Sequence, residues 1–158
     1  MGEEEKKCEG PETIAEKTEG MTEYPGYFTY YWDEEEGKIW LEVDKWDEEF
    51  LYVNALSAGL GSNDVGLDRN QLGKTRVVYF HRVGPKVLLF QPNYGYRALS
   101  GDPYEVKDVK DAFALAVIWG FKVEAEEEGR VLVDASEFLM RDEKDVNTRL
   151  KEREEGDY

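Results

Sequence analysis

The 158-residue sequence contains one cysteine, one histidine and no long apolar run. A single cysteine, Cys8, excludes an internal disulfide, and Cys8 with His81 leaves little for the nitrogen- and sulfur-rich sites that hold zinc. No apolar stretch approaches the ~20 residues that a membrane-spanning helix needs, and Met1 to Glu5 does not open a signal peptide. We therefore expect no zinc centre, no membrane span and no signal peptide in this chain.

Basic residues are also scarce, because 20 lysines and arginines stand against 36 aspartates and glutamates, which gives a formal net charge of -16. Such a chain repels a phosphate backbone at long range, so nucleic acid is not an expected partner. Apolar residues make up 41% of the chain and aromatic residues 13%. This composition is sufficient for the buried core of one domain.

The distribution of charge divides the chain into three parts. Residues 1–23 are mostly acidic and polar, and we expect a flexible lead-in in which Thr13 to Thr18 forms a helical turn only if it docks on something. Residues 24–140 are expected to form a single α+β domain. Residues 141–158 alternate acids and bases around Val146 and Leu150, which predicts a charged C-terminal helix and tail.

Apolar residues between 24 and 140 mostly alternate with a period of two, which predicts β-strands. Acidic, glycine or proline residues interrupt the alternation and mark the turns of hairpins. The expected strands and the short helix that follows them are Tyr27 to Trp32 with Lys38 to Val43, Phe50 to Leu56, Arg76 to Arg82 with Lys86 to Gln91, Trp119 to Ala125 with Arg130 to Asp134, and the helix Ala135 to Met140.

One stretch changes to helical spacing. Apolar residues recur at intervals of three and four after a cap at Asp102 or Asp108, and Gly120 supplies an end. These apolar residues are Val106, Val109, Phe113, Ala116 and Val117. The predicted fold class is therefore α+β, mainly an antiparallel β meander of hairpins with one long helix packed on it.

The sequence Gly73-Lys74-Thr75 resembles the end of a phosphate-binding loop. That loop needs a glycine five residues before Gly73, where Asp68 stands, and it leads into a helix, whereas a strand is expected from Arg76. An ordinary turn is therefore the favoured interpretation.

The connection from Gly59 to Gly73 is rich in glycine and in side-chain oxygens. We expect it to be a structural loop braced by Asp64, Asp68, Arg69 and Asn70, because aspartate and asparagine cap turns and pair with arginine. The alternative is a calcium site formed by Asp64, Asp68 and Asn70, since oxygen ligands suit calcium. The terminal glutamate of the regular calcium-loop pattern is absent.

Aromatic residues are concentrated in the first predicted hairpin. Phe28, Tyr30, Trp32 and Trp40 suggest a platform for a peptide or a glycan, although alternation also predicts that half of the aromatic side chains belong to the core. At least two of the hairpin aromatics are expected to be exposed. We expect no catalytic residues in this chain. His81 is expected to be a packed or surface residue of a strand.

Several blocks of the sequence resemble the N-terminal accessory region, DUF5117-like, of bacterial zinc-dependent metalloproteases. The resemblance covers roughly residues 12–150, with blocks in the family's order and at compatible spacing. These blocks are Tyr27 to Val43 with its Tyr31-Trp32-Asp33 and Gly37 to Glu42, Glu49 to Val53, Leu60 to Arg69, Arg82 to Leu89, and Gly129 to Asp134.

In that family, proteolysis belongs to a separate domain with a His-Glu-x-x-His helix, whose imidazoles bind zinc. This chain has neither that motif nor a second histidine. The resemblance therefore implies a non-catalytic accessory module that packs on the protease domain of the same polypeptide, or on a protein partner, or guides the folding of that domain. It also implies zinc only in the catalytic domain and a secreted or periplasmic location.

Two other functions remain open. One is an independent module that binds peptide or glycan through its aromatic hairpin. The other is a small hydrolase that uses carboxylates, which would require a buried carboxylate pair with a raised pKa.

We predict that the isolated chain holds no stoichiometric zinc and cleaves no peptide bonds, because the three protein ligands of a catalytic zinc are not available from one histidine and one cysteine. Metal analysis after dialysis and a casein-cleavage assay measure both properties. One tightly held zinc per chain, or cleavage that a chelator stops, would contradict the prediction.

Overall fold

A computed structural model describes residues 12–56, 58–59, 69–94 and 115–152. The described residues form two compact units. The first unit takes them from 12–48, 80–89 and 117–139, and the second from 49–56, 58–59, 69–79, 90–94, 115–116 and 140–152.

Antiparallel β-strands dominate the described residues. In chain order they are β1 Thr22–Tyr24, β2 Tyr30–Asp33, β3 Lys38–Val43, β4 Phe50–Tyr52, β5 Arg76–Val83, β6 Lys86–Gln91, β7 Ala116–Glu127 and β8 Arg130–Asp134. Their hydrogen-bonded order is β1-β2-β3-β8-β7-β6-β5-β4. The strands of the three predicted hairpins are confirmed as β2 with β3, β5 with β6 and β7 with β8.

The helices of the described residues are short. They are α1 Ile14–Lys17, α2 Ser136–Leu139 and α3 Val146–Glu152. Thr13 begins α1 with a capping box, in which its hydroxyl accepts from the Glu16 N–H at 3.2 Å and its own N–H donates to the Glu16 carboxylate at 3.0 Å. None of the helices within the described ranges has the length and apolar character to cross a bilayer.

The predicted α+β fold with one long helix is wrong. The chain is mainly antiparallel β, and the longest helix among the described residues, α3, has seven residues. Ala116 and Val117, which were expected to end the long helix, instead begin β7. Val106, Val109 and Phe113 lie outside the described residues. Between Val117 and Phe121 most residues are β-branched or aromatic, and the place of β7 beside β6 in the sheet favours the extended conformation over the local helical spacing.

Gly120 lies inside β7 and does not terminate a helix. A Cβ atom at this position would stand 3.2 Å from Cδ2 of Leu88 on the neighbouring strand β6. The glycine therefore permits the Leu88 side chain to approach the backbone of β7 closely.

The first unit buries apolar residues on both faces of its strands. On one face Ile14 of α1 packs with Trp40, Ala125 and Leu132, and Met21 and Tyr31 lie against this cluster. A register shift between Val123 and Ala125 on β7 marks a β-bulge. The bulge changes which face the following residues occupy, so Ala125 pairs with Leu132 and contributes to the α1 cluster.

The opposite face is equally apolar. Val131 and Val133 flank Leu132 on β8, and Val43 on β3 pairs with Val131. All three valines are fully buried. A series of edge-to-face ring contacts extends through Phe28, Phe80, Phe121 and Phe138, with centroid distances of 5.3, 6.1 and 5.5 Å. A strand with both faces buried loses its simple polar-apolar alternation.

The second unit contains β4, which pairs with the first half of β5 so that Leu51 stands opposite Val77. Beyond β4, the backbones of 54–56 and 70–73 remain hydrogen-bonded, with Leu56 N–H donating to Gln71 O at 3.1 Å and Gly73 N–H donating to Asn54 O at 2.7 Å. These bonds close the base of the connection between β4 and β5. Arg76 joins this part of the unit to Glu143 at 3.3 Å.

We predict that Leu132→Ala lowers the free energy of unfolding by ~2–5 kcal/mol, because the substitution leaves a cavity in the fully buried α1 cluster. Urea unfolding followed by circular dichroism measures the change. Leu139→Ala is the matched control, since Leu139 is 50% exposed, and its effect is expected to stay within about 0.5 kcal/mol. Equal effects of the two substitutions would contradict this account of the core.

Candidate functional site

Tyrosine rings are exposed on β1, on β2 and between these two strands, at the edge of the sheet. Tyr24 on β1 and Tyr30 on β2 are register partners whose rings stack with centroids 4.8 Å apart and planes 7° apart. Tyr24 is 42% exposed, Tyr30 39% and Tyr27 52%. Flat, exposed rings of this kind are suited to contact with a sugar ring or an apolar side chain.

The other three aromatics of the predicted platform lie differently. Phe28 is half-buried against Phe80, and Trp32 is half-buried on β2. Trp40 is only 5% exposed and belongs to the α1 cluster, where the ammonium groups of Lys17 and Lys38 lie 5.2 and 5.7 Å from its ring centroid. Of the four predicted platform residues, Tyr30 is therefore the exposed one.

Tyr27 is held by its neighbours. Its hydroxyl donates to Glu48 at 2.7 Å, and this hydrogen bond raises the pKa of the Tyr27 hydroxyl. The ammonium group of Lys45 donates to the Tyr27 carbonyl at 2.8 Å and lies 4.8 Å from the centroid of the Tyr27 ring. These contacts fix an exposed aromatic ring without burying it.

A second exposed apolar surface, which sequence reasoning did not single out, lies in the second unit. Leu51 on β4 is 70% exposed, Val53 45% and Leu72 68%. We call these three residues the β4 surface. The alternation of Phe50 and Tyr52, both half-buried, with the exposed Leu51 and Val53 is the signal that could have revealed it.

The predicted structural loop is described only at its ends. Asp64 and Asp68, and with them the calcium alternative, lie outside the described residues. Arg69 is exposed, and Asn70 adopts a left-handed conformation with φ 62° while its N–H donates to Leu56 O at 2.7 Å. Asparagine tolerates this conformation better than most residues, so Asn70 has a structural role at the base of the loop.

His81 lies on β5 with its Nδ1 atom 2.6 Å from Oδ1 of Asp47. Asp47 has φ 56°, and its N–H donates to the Phe80 carbonyl at 2.8 Å. The pair links the segment after β3 to β5. Within the described ranges, no group of three or more histidine, cysteine, aspartate or glutamate residues is arranged to hold a metal ion. Cys8 lies outside those ranges.

Glu42 is a charged residue in the core of the first unit, 7% exposed. One carboxylate oxygen accepts from the Tyr31 hydroxyl and the other from the Arg130 guanidinium, both at 2.9 Å. Burial and the hydrogen bond to Glu42 raise the pKa of Tyr31 from 10.0 to about 12. With both oxygens engaged, Glu42 connects β2, β3 and β8.

We predict that the Tm of the wild-type chain falls more steeply between pH 10 and 12 than that of Tyr31→Phe. The unfolded chain releases the Tyr31 proton near the ordinary pKa, whereas the folded chain retains it to about 12, so rising pH favours the unfolded state. Thermal melts across this pH range measure the slopes. Leu139→Ala, at a half-exposed residue without an ionisable group, is the control and is expected to keep the wild-type slope. Identical slopes for all three proteins would contradict the prediction.

Comparison with known proteins identifies two families. The family described as Domain of unknown function (DUF5117) matches residues 70–157, and the one described as Domain of unknown function (DUF5118) matches residues 11–59. Searches of curated proteins and of solved structures gave no match. The DUF5117 part of the resemblance is confirmed. Since the first match spans more than half of the sequence, the chain belongs to the DUF5117 family.

Proposed function

We propose that this chain is a non-catalytic accessory module of a zinc-dependent metalloprotease and that it packs on the protease domain. Membership of the DUF5117 family and the sequence blocks that resemble the accessory region support the proposal. The observation that carries it is the β4 surface, where Leu51 and Leu72 are 70% and 68% exposed. Leu72 is tied to the segment after β4 by its bridge with Ala55, and exposed large apolar side chains on neighbouring segments favour an interaction surface.

The chain's own residues do not fit the family's catalytic zinc. His81 is the sole histidine of the sequence, it contacts Asp47, and a catalytic zinc needs several imidazole or carboxylate ligands around one point. The role we propose is therefore binding, with no chemical step assigned to this chain.

The charge of the chain defines the surface that it would recognise. The net charge is -16, and exposed Glu48 and Glu49 immediately precede β4. A complementary face on the protease domain would have an apolar centre for the β4 surface and basic residues around it. Association would then be faster at low ionic strength, because salt screens the steering charges.

We predict that the chain associates at tens of micromolar with a separately produced His-Glu-x-x-His protease domain of the metalloprotease family, as measured by analytical ultracentrifugation. The double variant Leu51→Glu/Leu72→Glu should weaken binding by about tenfold or more, because it places charges in the apolar centre. Met140→Glu, at a 61% exposed residue that does not belong to the β4 surface, is the control and should bind like the wild type.

Failure of the wild-type chain to associate would overturn the accessory-module proposal. Association that both variants retain would keep the module but move its interface away from the β4 surface. Hydrogen exchange on the complex would then show which strands become protected.

The stacked Tyr24 and Tyr30 rings favour a second candidate, an independent module that binds a peptide or a glycan. This candidate differs from the first in its partner and in its surface. It requires the chain alone to bind a small ligand at the hairpin, with the tyrosine rings and not the β4 surface changing their solvent exposure.

A further inference from the structure

The second unit contains a cavity of about 460 Å³ beside the beginning of β5. Asn54, Gly73 and Lys74 line one part of it, and Lys144, Thr148 and Glu152 line another. This volume lies within the usual range for small-molecule sites. None of the functions considered above makes use of it.

The Asn54 side of the cavity is rigidly constructed. Gly73 N–H donates to the Asn54 carbonyl at 2.7 Å, and a Cβ atom on Gly73 would lie 1.6 Å from Asn54 Oδ1. The Asn54 carboxamide therefore occupies the space that any larger residue at position 73 would need. Because position 73 is glycine, the Asn54 carboxamide can lie beside the cavity.

The acidic residues near the cavity are mostly engaged by local partners. Glu143 accepts from Arg76 at 3.3 Å and forms an ion pair with Arg141. Asp145 accepts from the Thr148 hydroxyl at 2.7 Å, and Asp142 accepts from the Val146 N–H at 2.7 Å. These contacts fix the segment from 141 to 148, and the two arginines compensate the charge of Glu143.

The lysines of the cavity differ from its acids in this respect. Among the residues that the structure describes, the side chains of Lys74, Lys144 and Glu152 make no ion pair or hydrogen bond. The cavity thus presents two ammonium groups and one carboxylate, that of Glu152, whose side chains have no hydrogen-bonded or ionic partner among the described residues. In a chain with a net charge of -16, two lysines without an acidic partner on one cavity are a distinctive arrangement.

We propose that this cavity binds a carboxylate that carries an adjacent amide N–H, the chemistry of a peptide C terminus. Lys74 and Lys144 neutralise the carboxylate, and Glu152 accepts the N–H. Bonds between ionised groups of this kind are the strong ones in protein recognition. The proposal concerns the chain alone and does not depend on docking to a protease domain.

The mixed charge of the lining distinguishes a carboxylate from a phosphate. Asp145 and Glu152 lie at the cavity without a basic partner among the described residues and would repel the second charge of a phosphate dianion at short range. The net charge of the whole chain would also oppose its approach. A monoanion with its own hydrogen-bond donor matches the lining better, because it can use a carboxylate acceptor as well as the ammonium groups.

Titration of the 15N-labelled full chain with N-acetyl-trialanine tests the proposal. We expect saturable NMR shifts at residues 54, 73–76 and 143–148. The same peptide with an amidated C terminus should bind about tenfold more weakly or worse, since it lacks the charge that the lysines recognise. Lys74→Met/Lys144→Met should lose binding to a similar extent, whereas Lys86→Met, at an exposed lysine of β6, should not.

Binding would be assigned elsewhere, and the proposal overturned, if the free and amidated peptides bound equally or if the double lysine variant bound like the wild type. Absence of saturable shifts at millimolar peptide would also overturn it.

Inorganic phosphate and succinate are titrated in separate experiments. Tighter binding of phosphate than of the peptide would replace the carboxylate assignment, and tighter binding of succinate would remove the requirement for an N–H. Unchanged circular dichroism melts of the Lys74→Met/Lys144→Met variant establish that its loss of binding does not come from unfolding.

Discussion

The pairing of β3 with β8 is the constraint on which the first unit depends. It joins segments that are far apart in sequence and places Trp40 opposite Asp134 and Val43 opposite Val131. β3 lies within the residues matched by DUF5118 and β8 within those matched by DUF5117. Neither family segment completes this part of the sheet without the other, so the two behave structurally as parts of one folded unit.

The same pairing organises both apolar layers. Because successive residues of a strand face opposite sides, one register assigns Trp40 and Leu132 to the layer covered by α1 and assigns Val43 and Val131 to the other layer. The bulge on β7 then adjusts the neighbouring strand, so that Ala125 joins the α1 layer. Glu42 stands opposite Leu132 and is tolerated on that face because Tyr31 and Arg130 satisfy its oxygens.

The apolar and charged groups that remain at the surface carry the functional interpretation. The tyrosine stack and the β4 surface present uncharged area on a strongly acidic chain. Several acidic side chains are held in local ion pairs. One is the two-pronged contact of Glu126 with Arg82, at 2.7 Å for each bond, which lowers the pKa of Glu126. Lysines without such a partner therefore stand out as candidates for binding an external anion.

The sequence by itself determined the local elements. The Gly84-Pro85 turn, the left-handed Gly129 and the Thr13 capping box act over a few residues, which is why the hairpins and α1 could be predicted. Features that depend on distant partners follow from the tertiary structure. Ala116 and Val117 lie in a strand, and Trp40 is buried whereas Tyr30 is exposed. Leu51 also lies at the surface. Spacing along the chain sets which residues of a strand share a face. Whether that face is buried depends on the neighbouring strands and on the element that packs over it, and both come from distant parts of the sequence.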